Sequence, residues 1–243
     1  MSIDPDNAAT QVAQALVRAR RGQRTIAAAD CAFVLRDAAD AYEAQALAAQ
    51  LMPELLPGHP QVWKSGGPSR SATLTHAPLP AAGILPSPAD ASRMHFNSRW
   101  IEAEIALRLA ADGSPRAMAV SIEIVDSRWT ESMQAPPLAK LADLQSHGAL
   151  VLGEWIAFEP REWSSQRCEV SIGGEKHEFT GTHSLGDPAW LLPAWLAHAK
   201  RHGLDTVSGA IVTTGTWCGM LPARASDSIH VRFPGIGEAS VRL

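Results

Sequence analysis

Two glutamates, Glu102 and Glu104, stand two residues apart in a stretch where apolar and charged residues alternate. Residues two apart share one face of a β-strand, whereas on an α-helix they diverge by roughly 200°. The alternation over 99–109 favours a strand, although its Ala, Glu, Leu and Arg content also suits a helix. Two neighbouring carboxylates repel each other unless a cation lies between them. The pair therefore predicts either a divalent-cation site or a solvated strand face.

Glu123 is a further candidate ligand, because it lies between two isoleucines in an apolar run over 117–125. A carboxylate in such a strand is costly unless it is paired or binds a metal. Asp126 is a competing metal ligand three residues further on. Arg128 is a competing partner that could neutralise Glu123 instead of a metal.

Two glycine-rich segments could hold an anionic ligand near these carboxylates. Lys64 precedes the first, Ser-Gly-Gly-Pro-Ser at 65–69, where the backbone can approach a ligand closely. We interpret Lys64 as a residue that carries a substrate carboxylate or moves a proton, with a solvent-exposed lysine as the alternative. The second segment, Gly-Thr-Trp-Cys-Gly at 215–219, follows a predicted buried strand and could offer backbone N–H groups to an anion.

The composition limits the kinds of partner. The chain of 243 residues suits one large domain, and its formal net charge of −4 argues against a nucleic-acid surface. No apolar run approaches the roughly 18 residues that span a bilayer, and the acidic start lacks the apolar core of a secretory signal. We therefore expect a soluble, cytoplasmic protein with a small-molecule partner or another copy of the same chain.

The cysteines and histidines show no metal motif. Cys31, Cys168 and Cys218 are odd in number and lack Cys-x-x-Cys spacing, which predicts free thiols in a reducing compartment. His198 and His202 are four residues apart in a predicted helix, but alanine follows the first where a zincin needs its glutamate. We expect the nine histidines to be mostly surface or core polar residues.

The carboxylates must be positioned by a sheet behind N-terminal helices. The first predicted helix begins at Asp4-Pro5-Asp6 and closes before Gly22. The second runs over 36–55, with its predicted buried side at Ala38, Ala41, Tyr42, Gln45, Ala46 and Ala49. The composition changes near Pro57, where a stretch rich in Pro, Gly and Ser begins. Residues 1–56 are therefore predicted as a helical cap and residues 57–243 as a β-rich catalytic domain.

The remaining elements follow from apolar runs and turn residues. Helices are predicted over 136–146 and over 189–202, the second with Trp190, Ala194, Trp195 and Leu196 directed inward. Gly173-Gly174 predicts a hairpin between 168–172 and 177–180. Further strands are predicted over 148–155, 210–214, 229–233 and 239–243.

Taken in order, several motifs resemble the fumarylacetoacetate hydrolase superfamily, and within it the 2-keto-4-pentenoate hydratase and 4-oxalocrotonate decarboxylase branch. The matching stretches are Ala41-Tyr42 with Gln45, Trp63-Lys64-Ser65-Gly66, Ile101-Glu102-Ala103-Glu104-Ile105-Ala106, Ile122-Glu123-Ile124-Val125-Asp126-Ser127-Arg128, Ala142-Asp143, Val151-Leu152-Gly153, Trp195-Leu196-Ala197, Val212-Thr213-Thr214-Gly215-Thr216 and Pro234-Gly235-Ile236-Gly237. The resemblance spans nearly the whole chain.

The resemblance implies an α+β fold, a mixed β-roll or sandwich behind an N-terminal helical cap. It implies that Mg²⁺ or Mn²⁺ is bound by Glu102, Glu104 and Glu123, the same residues that the chemistry of the sequence singles out. The segment between Glu104 and Glu123 is shorter than in hydratases by a connecting helix.

The activity implied by the resemblance is a metal-dependent hydratase that adds water to a 2-hydroxy-2,4-dienoate and yields a 4-hydroxy-2-oxo acid in aromatic-compound catabolism. Lys64 is the expected catalytic residue, and Gly66, Ser146, Gly215 and Thr216 are the expected substrate-binding residues. The alternatives are a 4-oxalocrotonate-type decarboxylase, an acylpyruvate hydrolase, for which His95 is the candidate acid or base, and a non-catalytic partner subunit. The family implies a homo-oligomer, or membership of a decarboxylase–hydratase complex.

Overall fold

A computed structural model describes residues 7–204 and 207–243. The helices are α1 (Ala8–Arg21), α2 (Ala38–Leu51), α3 (Pro137–Ala142) and α4 (Leu192–Arg201). The strands are β1 (Val62–Gly66), β2 (Thr75–Pro78), β3 (Ile84–Pro86), β4 (Ala89–Asp90), β5 (Trp100–Leu109), β6 (Pro115–Val125), β7 (His147–Leu152), β8 (Ile156–Ala157), β9 (Arg167–Ile172), β10 (Glu175–Thr180), β11 (Ile211–Thr213), β12 (Leu221–Pro222), β13 (Ser228–Phe233) and β14 (Gly237–Arg242).

The strands form two sheets. The larger, of nine strands, follows the order β2-β1-β11-β5-β6-β7-β3, with β12 paired to β5 and β8 paired to β6. It is mixed, because β1 runs parallel to β11 and β3 parallel to β7 while β5, β6 and β7 are antiparallel. The smaller sheet has five strands in the order β10-β9-β13-β14-β4. The predicted α+β fold with mixed sheets behind N-terminal helices is confirmed.

The main hydrophobic core lies between the two sheets. Ile105 and Val120 of the larger sheet and Val170 and Val231 of the smaller one belong to the same buried cluster. Their positions follow the period of two along each strand, which directs alternate side chains to one face. The opposite face of β5 and β6 is therefore free to carry polar groups.

The first two helices differ from the prediction at their ends. Asn7 accepts a hydrogen bond from the Ala9 N–H and begins α1, while the predicted start at 4–6 lies outside the described residues. Asp37 caps α2, which ends at Leu51, before Pro53, and not at residue 55. The predicted buried side of α2 is wrong at Ala46, which is exposed; Ala44 and Ala48 are buried instead.

The helical cap shares its core with a later part of the chain. The buried cluster of α1 and α2 includes Val12 and Leu16 of α1. It also includes Trp129, which precedes α3, and Ala139 of α3. The Trp129 ring nitrogen donates to the Ala139 carbonyl at 2.8 Å. Helix α3, which belongs to the predicted catalytic domain, therefore packs in the same helical layer as α1 and α2. The domain boundary at residue 57 stays a prediction.

The helix predicted over 189–202 is interrupted at its start. A 3₁₀ turn, Pro188–Leu191, precedes α4, and Pro193 fits the first turn of the α-helix because its missing N–H needs no partner there. The prediction that Trp190 and Ala194 point inward is wrong, since both are exposed. Trp190 instead lies beside the Arg70 guanidinium, 5.6 Å from the ring centre.

Within the described ranges, no helix has the length and apolar content needed to cross a bilayer. The three cysteines are free thiols, as predicted, and Cys168 and Cys218 are buried.

Candidate metal centre and substrate cavity

The register of β5 against β6 brings three glutamates together. Glu102 lies directly opposite Glu123, and Glu104 lies opposite Ser121. Since side chains two apart share a face and opposed residues are cross-strand neighbours, all three carboxylates emerge on one side of the sheet. One oxygen from each lies within 4.8 Å of the others. We name Glu102, Glu104 and Glu123 the acidic triad.

Lys64 reaches the acidic triad from the neighbouring part of the sheet. Strand β1 pairs with β11, which in turn pairs with β5, so Lys64 lies two strands from Glu102. Its Nζ is 2.8 Å from Glu123 Oε2 and 3.3 Å from Glu102 Oε2. The ammonium thus neutralises part of the triad. The alternative of a solvent-exposed Lys64 is wrong, because this side chain is only 15% exposed.

Glu104 has no ion-pair partner among the described residues. Its side chain is fully buried, no side chain of residues 7–204 and 207–243 donates to its carboxylate, and the Gly215 backbone N–H is the polar group that favours its charge. An unpartnered buried carboxylate is strongly disfavoured unless another group completes its surroundings. Hard oxygen ligands of this kind suit Mg²⁺, and the clustered triad leaves Glu104 available as a ligand. The residues present therefore fit a divalent cation.

The three carboxylates differ in the direction in which their surroundings shift the pKa. Burial, together with repulsion from Glu123 and Glu102, raises the pKa of Glu104 well above its ordinary value. Burial also raises the pKa of Glu102, despite the neighbouring Lys64. Burial opposes the ionisation of Glu123 as well, but attraction to Lys64 and the contact with His147 lower its pKa. Burial disfavours the charge on Lys64, yet its glutamate partners outweigh burial and raise its pKa.

His147 contacts the triad and was missed in the sequence. Its Nδ1 is 3.1 Å from Glu123 Oε1, and both side chains are fully buried. Burial lowers the pKa of His147, so the imidazole is neutral, and Nδ1 must donate because the ionised Glu123 can only accept. The competing sequence hypothesis, Arg128 as the partner of Glu123, is wrong. The one sequence feature that could have singled out His147 is that it is a polar residue at the start of an apolar strand.

A left-handed turn connects α3 to His147. Leu144, Gln145 and Ser146 have φ angles of 51°, 54° and 58°. This conformation costs roughly 1–2 kcal/mol per non-glycine residue, so the surroundings must hold it. Arg128 does so from both sides: its Nε donates to Asp143 Oδ1 at 2.7 Å and its Nη2 donates to the His147 carbonyl at 2.9 Å.

A cavity of about 530 Å³ opens onto the triad. Glu102, Glu104 and Lys64 lie in its wall, and the glycine-rich segments contribute the backbone of Gly66 and Gly215. The two segments are in ordinary van der Waals contact there, since a Cβ on Gly66 would lie 4.0 Å from the Gly215 Cα. Other lining residues are Ser65, Gly67, Pro68, Thr73, Thr75, Pro137, Lys140, Leu141, Gln145, Ser184 and Thr216.

The remaining predicted site residues fall in different places. Thr216 lines the cavity, but its hydroxyl donates to the Gly219 carbonyl at 2.8 Å and so stabilises its own turn. Ser146 is buried in the left-handed turn, where its hydroxyl has no hydrogen-bond partner among the described residues, and its neighbour Gln145 reaches the cavity wall. His95 and Asp126 line a separate cavity of about 360 Å³, away from the triad.

Comparison with known proteins places this geometry in a family. Residues 101–243, more than half of the chain, match the family model of the fumarylacetoacetate hydrolase C-terminal region. The chain belongs to the fumarylacetoacetate hydrolase family. The matched region of the chain includes the acidic triad, whereas Lys64 and the first two helices precede it. No curated protein matches the chain at a significant level.

Solved structures of the family share the fold at low sequence identity. The 4-oxalocrotonate decarboxylase from Pseudomonas putida G7, complexed with calcium and acetate or with magnesium and adipate, has a TM-score of 0.82 at 20% identity, covering 99% of this chain and 98% of that one. A putative fumarylpyruvate hydrolase from Burkholderia cenocepacia has a TM-score of 0.55 at 16% identity, covering 74% of this chain and 86% of that one. The fold, including the N-terminal helices, is therefore common to the decarboxylase and this family member.

Proposed function

We propose that this protein is a divalent-metal-dependent lyase that adds water to a 2-hydroxy-2,4-dienoate and forms a 4-hydroxy-2-oxo acid. The observation that carries the proposal is the buried acidic triad beside Lys64 at the wall of a cavity, in which Glu104 has no ion-pair partner among the described residues. Such a site favours a small, oxygen-rich anion. The substrate and its role in aromatic-compound catabolism are those that the family resemblance implies.

Glu102, Glu104 and Glu123 would hold Mg²⁺ or Mn²⁺. Bound there, the ion would supply electrophilic stabilisation of the charge that develops on the 2-oxygen of the substrate. Similar structures support this choice, since the Pseudomonas putida decarboxylase is complexed with calcium or magnesium and a Pseudomonas aeruginosa fumarylpyruvate hydrolase with Mn²⁺ and pyruvate.

The protein's own groups orient the substrate. Lys64 remains an ammonium because Glu123 and Glu102 raise its pKa above its ordinary value, against the effect of burial. This favours a role in holding the substrate carboxylate over a role as a proton shuttle. The backbone at Gly66 and Gly215 lines the same cavity and can approach the substrate closely.

The reaction balances with water as the one co-substrate. A proton added at the far end of the dienol, with loss of the proton on the 2-hydroxyl, gives the conjugated 2-oxo acid. Water then adds its oxygen to C4 and a proton to C3. His147 is a positioning residue that acts through Glu123, because its hydrogen bond fixes the orientation of that carboxylate.

A second candidate is decarboxylation of a 4-oxalocrotonate-type 2-oxo acid. It is supported by the similarity to the Pseudomonas putida decarboxylase over 99% of this chain. Both activities need the same enolate stabilisation.

A non-catalytic subunit of a decarboxylase–hydratase complex is distinguished by calorimetry with Mg²⁺ and oxalate, because a scaffold without a site would bind neither. We also propose a homo-oligomer, which sedimentation would test.

The deciding experiment is an absorbance assay of 2-hydroxydienoic and 2-oxo acids with added Mg²⁺, in which loss of conjugation is followed and products are identified. Glu104→Ala and Glu123→Ala should each lower turnover by at least about 100-fold, since each removes a ligand. Glu178→Ala, on exposed β10, is the control and should keep full activity. Undiminished turnover in Glu104→Ala would contradict the proposal.

A further inference from the structure

A second cavity, of about 360 Å³, lies away from the acidic triad, between the C-terminal end of α1 and the segment that precedes β5. Arg20 and Gln23 line it from the end of α1, Arg93 lines it from that segment, and Arg128 lines it from the loop after β6. Among the described residues, Asp126 is the one carboxylate in its wall. The proposed reaction does not use this cavity.

The carboxylates beside this cavity are already occupied by donors of the protein. Asp143 accepts from Arg128 Nε at 2.7 Å and from Arg20 Nη2 at 3.0 Å. Asp126 accepts from Arg128 Nη1 at 3.3 Å and from a backbone N–H at 2.8 Å. Arg93 is exposed and forms no ion pair within residues 7–204 and 207–243. Three arginines therefore face two carboxylates, which leaves positive charge in excess.

Arg20 has hydrogen-bonding capacity that the protein does not use. Its side chain is only 12% exposed. A guanidinium has five N–H donors, and that of Arg20 uses one of them, in the contact with Asp143, so four are left without an acceptor among the described residues. Burial and the neighbouring charge of Arg128 lower the pKa of Arg20 to about 10, because both disfavour its positive charge. An anion in the cavity would stabilise that charge and accept from the unused donors.

We propose that this cavity binds a small oxyanion, the phosphate or carboxylate group of a small molecule, through Arg20, Arg93 and Arg128. Guanidinium groups match both kinds of oxyanion, because they donate paired, charge-assisted hydrogen bonds. The site is separate from the metal centre and does not depend on the proposed reaction. Arg128 nevertheless connects the two, since its Nη2 donates to the His147 carbonyl at 2.9 Å. A bound anion would thus link α1 to the turn that leads to His147.

Calorimetry at constant ionic strength tests the proposal. The full chain, loaded with Mg²⁺, is titrated with inorganic phosphate and separately with acetate, and chloride is the reference anion. We expect saturable binding of an oxyanion but not of chloride. Arg93→Gln removes a charge outside the buried ion pairs and should weaken that binding at least about fivefold. Gln23→Glu keeps the shape of the wall but adds a negative charge, and should weaken it at least as much.

The matched control is Arg224→Gln, which removes an exposed arginine from the wall of a different cavity and should leave the affinity unchanged. Thermal unfolding gives a second readout, since the bound anion should raise the melting temperature of the native chain more than that of Arg93→Gln. Tighter binding of phosphate would indicate a phosphorylated ligand, and tighter binding of acetate a carboxylic acid.

Three results would overturn the proposal. One is the absence of saturable binding of both oxyanions to the native chain. Another is an unchanged affinity in Arg93→Gln or in Gln23→Glu, which would mean that the anion binds elsewhere, for example at the metal centre. The third is an equal loss of affinity in Arg224→Gln, because the effect would then reflect the net charge of the protein and not this cavity.

Discussion

Arg128 and Asp143 form a buried ion pair that closes the left-handed turn beside the metal centre. Arg128 Nε lies 2.7 Å from Asp143 Oδ1, and the Arg128 backbone N–H donates to Asp143 Oδ2 at 2.9 Å. Arg20 of α1 adds a third contact to the same carboxylate at 3.0 Å. The pair thus links the N-terminal helices to the turn that carries Gln145 and leads to His147.

The pair predicts a large effect of Arg128→Met on stability. Removing Arg128 leaves the buried Asp143 carboxylate with Arg20 as its remaining cationic partner and leaves the His147 carbonyl without this donor, which should cost about 1–3 kcal/mol. Urea unfolding monitored by tryptophan fluorescence should show that loss. Arg232→Met is the control, because its ion pair with Glu169 is exposed and is worth at most about 1 kcal/mol. Equal unfolding free energies for the two variants would show that Arg128 does not hold the turn.

Glu104→Gln should have opposite effects on the metal-free and metal-loaded protein. Without metal, the substitution removes repulsion from Glu102 and Glu123 and should raise the melting temperature. With Mg²⁺ at about 100 times the dissociation constant of the native chain, the native protein should gain about 2.7 kcal/mol and Glu104→Gln much less. Thermal unfolding with and without Mg²⁺ measures both effects. Glu178→Gln should behave like the native chain, and a full Mg²⁺ response in Glu104→Gln would exclude Glu104 as a ligand.

Lys64→Met should destabilise the metal-free protein by about 3–5 kcal/mol, because Glu123 and Glu102 lose their neutralising charge. Mg²⁺ should restore more stability to this variant than to the native chain, since the cation then supplies the missing positive charge. Turnover should nevertheless stay low if Lys64 holds the substrate carboxylate. Urea unfolding at several Mg²⁺ concentrations measures the first two effects, with Lys176→Met as control. Native-like stability without Mg²⁺ would contradict the expected role of Lys64.

The convergence of the three carboxylates could be predicted because the sequence signals for it are local, while their role as metal ligands stays a prediction. Alternation along β5 places Glu102 and Glu104 on one face, and a charge in the apolar strand β6 singles out Glu123. The register that opposes Glu102 to Glu123 also follows from two apolar strands joined by a short turn. Most strands could be predicted for the same reason, whereas the α+β fold with a mixed β-roll followed from the family resemblance.

Contacts between distant segments could not be predicted in this way. Gln145 and His147 reach the site through a left-handed turn, and no spacing rule predicts three successive non-glycine residues with positive φ. The partner of Arg128 was likewise hidden, because Asp143 lies 15 residues further along the chain. Trp190 was expected inside on helical periodicity, but the 3₁₀ turn before α4 changes which side faces the core.

A buried histidine pair predicts that acid weakens the fold. Burial, together with nearby positive charge from Arg201 and His202, lowers the pKa of His76 to about 4 and that of His198 to about 3. Unfolded histidines bind a proton below about pH 6.5, whereas these two stay neutral in the folded state until the pH falls much further. Their contribution to stability is therefore complete above pH 6.5 and decreases as the pH falls from 6.5 towards 4.

His198→Leu should reduce that acid sensitivity, because it removes one of the two groups that take up a proton on unfolding. Urea unfolding at pH 7.5 and at pH 5 gives the difference in free energy, which should be smaller in the variant than in the native chain. His230→Gln is the matched control, since His230 is exposed and faces Glu238 on the smaller sheet. The comparison between the two pH values cancels any loss of packing around the rings of Tyr42 and His76 that contact His198. An unchanged difference in His198→Leu would show that this imidazole is already protonated in the folded protein.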